Sequence, residues 1–213
     1  MIDLDVYADP VCPWCAIGKA ELDRALAARP DHPFVRRWLP FELNPDLPPE
    51  GVPRAAYLEQ KFGAEAVAAM LGRVTEAAAR AGVAIDVAQI ARQPNTRDAH
   101  RLILWSGVEG RQEAVVAALM AAHFAQGRDI GAAPTLIEIA AEAGMDGAVV
   151  RRLLNSQADC DTVAELGAEA RMMGITGVPS VVIGGARVVV GAQPADLWIR
   201  IIDDIIAHRE NWP

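Results

Sequence analysis

The chain has 213 residues, 52% of them hydrophobic and 23% charged, enough to bury a sizeable core as one domain or as a domain carrying a large insertion. Its 28 acidic against 20 basic side chains, a formal net charge of -8, leave no electrostatic footprint for a phosphate backbone, so nucleic acid is excluded as the expected partner. Charge-free apolar stretches such as Gly174 to Ala186 fall short of the ~20 residues of a membrane span and hold Gly and Pro, so no membrane partner is expected either. The opening M-I-D-L-D-V-Y has acids where a secretory signal carries Lys or Arg before a long apolar run, and a cytoplasmic location is expected. Three cysteines, Cys12, Cys15 and Cys160, are too few for a disulfide scaffold.

In chain order, Ile2 to Tyr7 alternates apolar and polar residues with the period of a strand. Asp9-Pro10 ends it, and Pro13 through Ala28 reads as a helix stopped at Pro30. Phe34 to Leu43 is a second strand segment, closed by the Pro-rich N-P-D-L-P-P-E-G-V-P. From Arg54 to about Met173 the composition turns to Ala, Glu, Arg, Leu and Met, which predicts five or more helices. One carries the stripe Val115, Val116, Leu119, Met120, His123 and Phe124, one is capped by Asn95 or Thr96, and one has Pro134 in its first turn. A further helix is expected to start at Asp161 or Thr162, with Thr162 and Glu165 at capping-box spacing and a stripe of Val163, Leu166, Ala170 and Met173. Ser180 to Ile183 and Arg187 to Val190 are β-branched runs joined at Gly184-Gly185, a hairpin signal. A last helix from Pro194 to about His208 has Leu197, Trp198, Ile201, Ile202, Ile205 and Ile206 on one face.

Cys12-Pro13-Trp14-Cys15 falls where the first strand ends and the first helix begins. A helix N-terminus stabilises a thiolate through its free N–H groups and its dipole, and Pro13 at the first helical position has no N–H to leave unpaired. This context favours an exposed Cys12 as the attacking thiolate and a more shielded Cys15 as the thiol that resolves the mixed disulfide. A zinc site would need two further ligands, which Cys160 and the scattered His32, His100, His123 and His208 do not supply at a recognisable spacing, so no metal is expected. Trp14 shields the pair or offers a flat contact to substrate. Asp9 and Glu42 can shuttle protons to Cys15 or tune Cys12, although solvated carboxylates beside a turn are the commoner outcome.

The motifs D-P-V-C-P-W-C at Asp9 to Cys15, F-E-L-N-P at Phe41 to Pro45, P-N-T-R-D-A-H-R-L-I at Pro94 to Ile103 and G-I-T-G-V-P-S at Gly174 to Ser180 span nearly the whole chain. With them the chain resembles the DsbA-like thioredoxin-fold family, most of all its FrnE-type oxidoreductases, relatives of 2-hydroxychromene-2-carboxylate isomerase and kappa-class glutathione transferase. The resemblance implies an α/β thioredoxin fold with a large inserted all-helical domain: residues 1–50 and 165–213 for the discontinuous thioredoxin domain, 51–164 for the insertion. It also implies thiol:disulfide exchange or isomerisation by Cys12 and Cys15, supported by Pro13 and Trp14, with Val178-Pro179 at the family's cis-proline site beside Cys12. On the residues alone, a trans turn opening the Ser180 strand is the alternative. Relatives bind glutathione in a cleft against the helical domain, which makes Asn44, Pro45, Asn95 and His100 candidate contacts. On composition, Asn95 and Thr96 read instead as caps and His100 as a half-buried histidine beside Ile103 and Leu104.

The expected partners are a disulfide-bearing protein or a small-molecule thiol, with no tightly bound cofactor, glutathione or another thiol as co-substrate, and a homodimer as an allowed assembly. Two alternatives stay open: a glutathione-dependent isomerase or transferase, whose activating residue in the family is usually Ser rather than a Cys pair, and a non-catalytic module binding a peptide or small molecule.

Overall fold

The computed structural model describes residues 1–208; positions 209–213, the end of the second thioredoxin segment expected from sequence, lie outside the described residues. The alternating N-terminal segment forms β1 (Ile2–Ala8), and the chain crosses over through α1 (Pro13–Ala28) to β2 (Phe34–Pro40), parallel to β1 and paired from Ile2↔Phe34 to Ala8↔Pro40. Parallel neighbours require such a crossover because a tight turn cannot reverse the chain and restore its direction. The two-residue strand β3 (Val52–Pro53) leads into α2 (Arg54–Phe62) and α3 (Ala64–Ala81), and β4 (Arg92–Gln93) pairs back on β3. There follow α4 (Arg97–Val108), α5 (Gln112–Phe124), α6 (Ala133–Glu142), α7 (Gly147–Leu154) and α8 (Cys160–Met172). The chain returns through β5 (Ser180–Ile183) and β6 (Arg187–Val190) to α9 (Ala195–Ala207).

The four-stranded sheet has the order β2-β1-β5-β6, with β5 antiparallel to both of its neighbours. This is an α/β thioredoxin arrangement with a helical insertion. The β5–β6 connection closes with Ala186 N–H donating to Ile183 O at 3.2 Å. Gly184 and Gly185 take φ of 57° and 72° there, the left-handed values that a tight hairpin needs and side chains resist.

β1 is covered on both faces. Leu4 and Val6 join a core with Leu22 and Ala25 of α1, Trp198, Ile202 and Ile205 of α9, and Leu102, Val116, Leu119 and Leu136 of the inserted helices. Tyr7, on the opposite face, packs with Phe41, Val182, Ala170 of α8 and Ile175. The first cluster runs without a break from the sheet into the insertion, so the helices that build the outer wall of the site share the core that holds the strands. A third cluster sets Ile17 of α1 against Ala78 and Ala81 of α3.

Three helix details differ from the sequence reading. α8 begins at Cys160 rather than at Asp161 or Thr162, behind Asp159 with φ of 59°, so Thr162 and Glu165 lie inside the helix and form no capping box. Met173 is exposed and Gly167 takes its place among the buried positions of that face. Ile206 is also exposed, because the buried face of α9 runs through Ala195, Trp198, Ile202 and Ile205.

Candidate active site

The turn from β1 into α1 is built by Asp9, whose carbonyl accepts from Cys12 N–H at 2.9 Å. Cys12 is the N-cap of α1 with extended backbone (φ -84°, ψ 115°), and Pro13 follows at the first position. The Cys12 carbonyl accepts from Cys15 N–H at 3.0 Å and Ala16 N–H at 3.3 Å, which closes the first turn and sets Cys15 behind Cys12. No acidic side chain occupies that turn, so nothing within it offsets the positive end of the helix. Both cysteines are free thiols.

The Val178–Pro179 peptide bond is cis, and the Val178 carbonyl stands 3.7 Å from Cys12 Sγ, which donates to it. The close fit between this loop and α1 depends on Gly18, where an added Cβ would lie 3.0 Å from Pro179 Cγ. Cys12 is 5% exposed and Cys15 1%. The attacking sulfur is therefore not the exposed group expected from sequence. Cys12 instead lines a cavity of about 400 Å³ together with Trp14, Asn44, Val178 and residues of α2 and α3. Trp14, 38% exposed, forms part of its rim rather than sealing the pair.

Beneath the pair, Asp9 is fully buried, against the expectation of a solvated carboxylate. Its Oδ2 accepts from Leu43 N–H at 2.8 Å and from the Thr96 hydroxyl at 3.4 Å, and its Oδ1 from Val11 N–H at 3.3 Å. Burial outweighs these bonds and pushes the Asp9 carboxyl up to about 7, with the charge of Glu42 adding in the same direction. Burial also raises the Cys15 thiol well above its ordinary value, and the hydrogen bond and charge of Cys12 and the charge of Asp9 act the same way. Glu42 is not free to shuttle protons: it pairs with Arg97 at 3.3 Å, and its carbonyl accepts from Arg171 at 2.6 Å.

Of the four cleft candidates, the structure brings only Asn44 to the cavity, where its Oδ1 accepts from the Tyr57 hydroxyl at 2.7 Å and Lys61 Nζ at 2.8 Å. Pro45 does not line it. Asn95 holds local structure: its Oδ1 accepts from Arg97 N–H at 2.9 Å and its Nδ2 donates to Leu47 O at 2.7 Å. His100 is fully buried rather than half-buried, with Nε2 3.8 Å from Asp9 Oδ1. Burial pushes its imidazole down to about 3, so it is neutral and makes no ion pair with Asp9. Thr96, read from sequence as a cap, makes no side-chain capping bond and serves Asp9 instead. Cys160 lies in a separate polar recess with Arg97 and Arg101, away from Cys12. Among the described residues no group of three or more His, Cys, Asp or Glu side chains is arranged to hold a metal ion.

Sequence reasoning missed the α2 wall. Arg54, Tyr57, Leu58 and Lys61 follow one another at helical spacing along the cavity side, and no motif in the sequence singles out Arg54 or Lys61. The pairing of β3 with β4 places Arg54 beside Gln93, two strands too short to leave a period in the sequence.

A probable DsbA oxidoreductase from Streptomyces coelicolor superposes with a TM-score of 0.88 at 32% identity, covering 100% of this chain and 92% of that one. The uncharacterized protein YwbO of Bacillus subtilis is 26% identical over 95% of this chain and 96% of its own length. The cytosolic disulfide reductase DsbM from Pseudomonas aeruginosa, solved with GSH, shares the fold with a TM-score of 0.71 at 18% identity, over 96% of this chain and 99% of that one. The DSBA-like thioredoxin domain family matches residues 3–202, nearly all of the sheet, the insertion and the cysteine turn just described. The chain belongs to the DsbA-like thioredoxin domain family.

Proposed function

We propose that the chain is a thiol:disulfide oxidoreductase in which Cys12 attacks, Cys15 resolves and Asp9 takes the proton that Cys15 must lose. One observation carries this reading: Cys12 caps α1 on the cavity wall against Val178, while Cys15 and a buried carboxyl at about 7 stand behind it. The Cys12 thiolate displaces one sulfur of a substrate disulfide and forms a mixed disulfide. Cys15 then attacks Cys12 Sγ, the second substrate sulfur leaves as a thiolate, and the Cys15 proton passes to Asp9. The substrate disulfide ends as two thiols, and the two cysteines end as one disulfide.

A buried thiol held far above neutrality needs such an acceptor, and a carboxyl at about 7 is matched to giving and taking protons near neutral pH. The backbone at Gly177 and Val178 borders the same cavity, so an extended substrate segment can align there. In a cytoplasm, glutathione or another thiol is the co-substrate that returns the pair to the dithiol. Equilibration in glutathione buffers of graded ratio, followed by thiol trapping and mass measurement, tests this. A reversible two-hydrogen change confined to Cys12 and Cys15 is expected, and the absence of any reversible pair at every ratio refutes the proposal.

A further inference from the structure

Among the described residues two arginine side chains, Arg54 and Arg101, are buried, and they are treated differently. Arg101 is saturated: it donates to the carbonyls of Ala158, Leu153 and Ser156 at 2.6 to 2.9 Å and pairs with Asp98 at 2.7 Å. Arg54 is 7% exposed and makes one side-chain hydrogen bond, from Nη1 to the neutral Oε1 of Gln93 at 2.9 Å. Among the described residues no carboxylate lies within salt-bridge distance of it. His123, close enough for the Arg54 charge to act on it, is buried and neutral and offers no counter-charge. A buried cation without an anion is unfavourable, so its retention points to an anion supplied from outside the chain.

Both Arg54 and Gln93 line the cavity that Cys12 lines. In a chain with 28 acidic residues, not one Asp or Glu among the described residues borders that cavity, and Lys61 adds a second cation two turns further along α2. Apart from Asn44 and Tyr57 beside Lys61, the rest of the wall is largely apolar, with Leu58, Leu71, Val74 and Ile85, and about 400 Å³ suits a small molecule rather than a folded chain.

We infer that this cavity takes a small thiol or disulfide with an apolar body and a carboxylate, the carboxylate meeting Arg54 and the sulfur meeting Cys12. The inference rests on the thiol–disulfide reading for its chemistry. The Cys12 thiolate displaces one carboxylate-bearing thiolate from the disulfide, and Cys15 displaces the other as its proton leaves to Asp9. Two electrons pass from the cysteine pair to the substrate sulfurs.

The test compares reduction of 5,5′-dithiobis(2-nitrobenzoate), an aromatic disulfide with a carboxylate on each ring, with that of uncharged 4,4′-dithiodipyridine. The ratio of the two rates is expected to fall at least tenfold in Arg54→Gln and to recover in part in Arg54→Lys. A ratio that stays within twofold of the parent, even if both rates drop, makes Arg54 structural and overturns the inference. A second measurement needs no Arg54 variant: calorimetric binding of sulfur-free 3-phenylpropionate and of its amide to the parent chain. The carboxylate is expected to bind at least tenfold more tightly, and equal binding overturns the inference. Carboxylate binding by a chain that reduces neither disulfide would sink the redox reading and leave the anion site standing. Reduction of both disulfides with no dependence on charge would do the reverse.

Discussion

Replacing Asp9 by Asn should stabilise the protein at neutral and alkaline pH and leave it nearly unchanged in acid. Asn keeps the shape of the side chain, and its oxygen can still accept from Leu43 N–H and Thr96. In the folded chain Asp9 holds its proton up to about 7, whereas in the unfolded chain it loses it near the ordinary 3.8. Between those values unfolding releases a proton, so wild-type stability falls as pH rises through the window and stays lowered above it. At 1.36 kcal/mol per pKa unit, the gap corresponds to roughly 4 kcal/mol at pH 8, the energy of ionising a carboxyl that the fold has buried.

His100 and His123, both pushed down to about 3, bias stability the opposite way, because below 6.5 the unfolded chain takes up protons that the folded chain refuses. Their effect is common to both proteins, so the difference between variant and parent isolates Asp9. Urea unfolding of the reduced proteins at half-unit steps from pH 4 to 8 measures it. The variant's advantage should grow from under about 1 kcal/mol to roughly 4 kcal/mol across that range. A difference that is flat with pH would show that Asp9 ionises normally in the folded state and would remove it as the acceptor for Cys15.

The same Asp9→Asn variant should slow release of the second substrate thiol about tenfold or more while leaving formation of the mixed disulfide near its parent rate, as read by stopped-flow with a fluorescent disulfide. Equal slowing of both steps would contradict the assignment. Gly18→Ala should push the Val178–Pro179 loop away from Cys12, since the new methyl meets Pro179 Cγ at 3.0 Å, and turnover should drop several-fold despite the ~1 kcal/mol that Ala gains in a helix. Unchanged turnover would show that the loop contact is dispensable. Arg101→Lys should lower stability by about 2–4 kcal/mol in urea, because one ammonium cannot replace a fork that serves three carbonyls and Asp98. A loss under about 0.5 kcal/mol would contradict that account.

The sequence is most informative where structure is local. Pro13 and the apolar spacing after it bound α1 at Pro13–Ala28, and Gly184-Gly185 marks the β5–β6 turn, because each signal sits in the residues that form the element. Asp9, His100 and Arg54 are illegible for one shared reason: their burial is decided by residues far along the chain. Leu43 and Thr96 close over Asp9, α4 turns His100 toward it, and the β3–β4 pair sets Arg54 against Gln93. The start of α8 is misread because Asp159 adopts left-handed backbone, which a non-glycine residue does not advertise.

The most direct test of the central reading is trapping. Cys15→Ser, incubated with oxidised glutathione and digested under acid, should carry a single glutathione adduct on Cys12 that dithiothreitol removes, while Cys12→Ser carries none on Cys15. An adduct on Cys15 or Cys160 in place of Cys12, or no adduct at all, would contradict the assignment of Cys12 as the attacking thiolate.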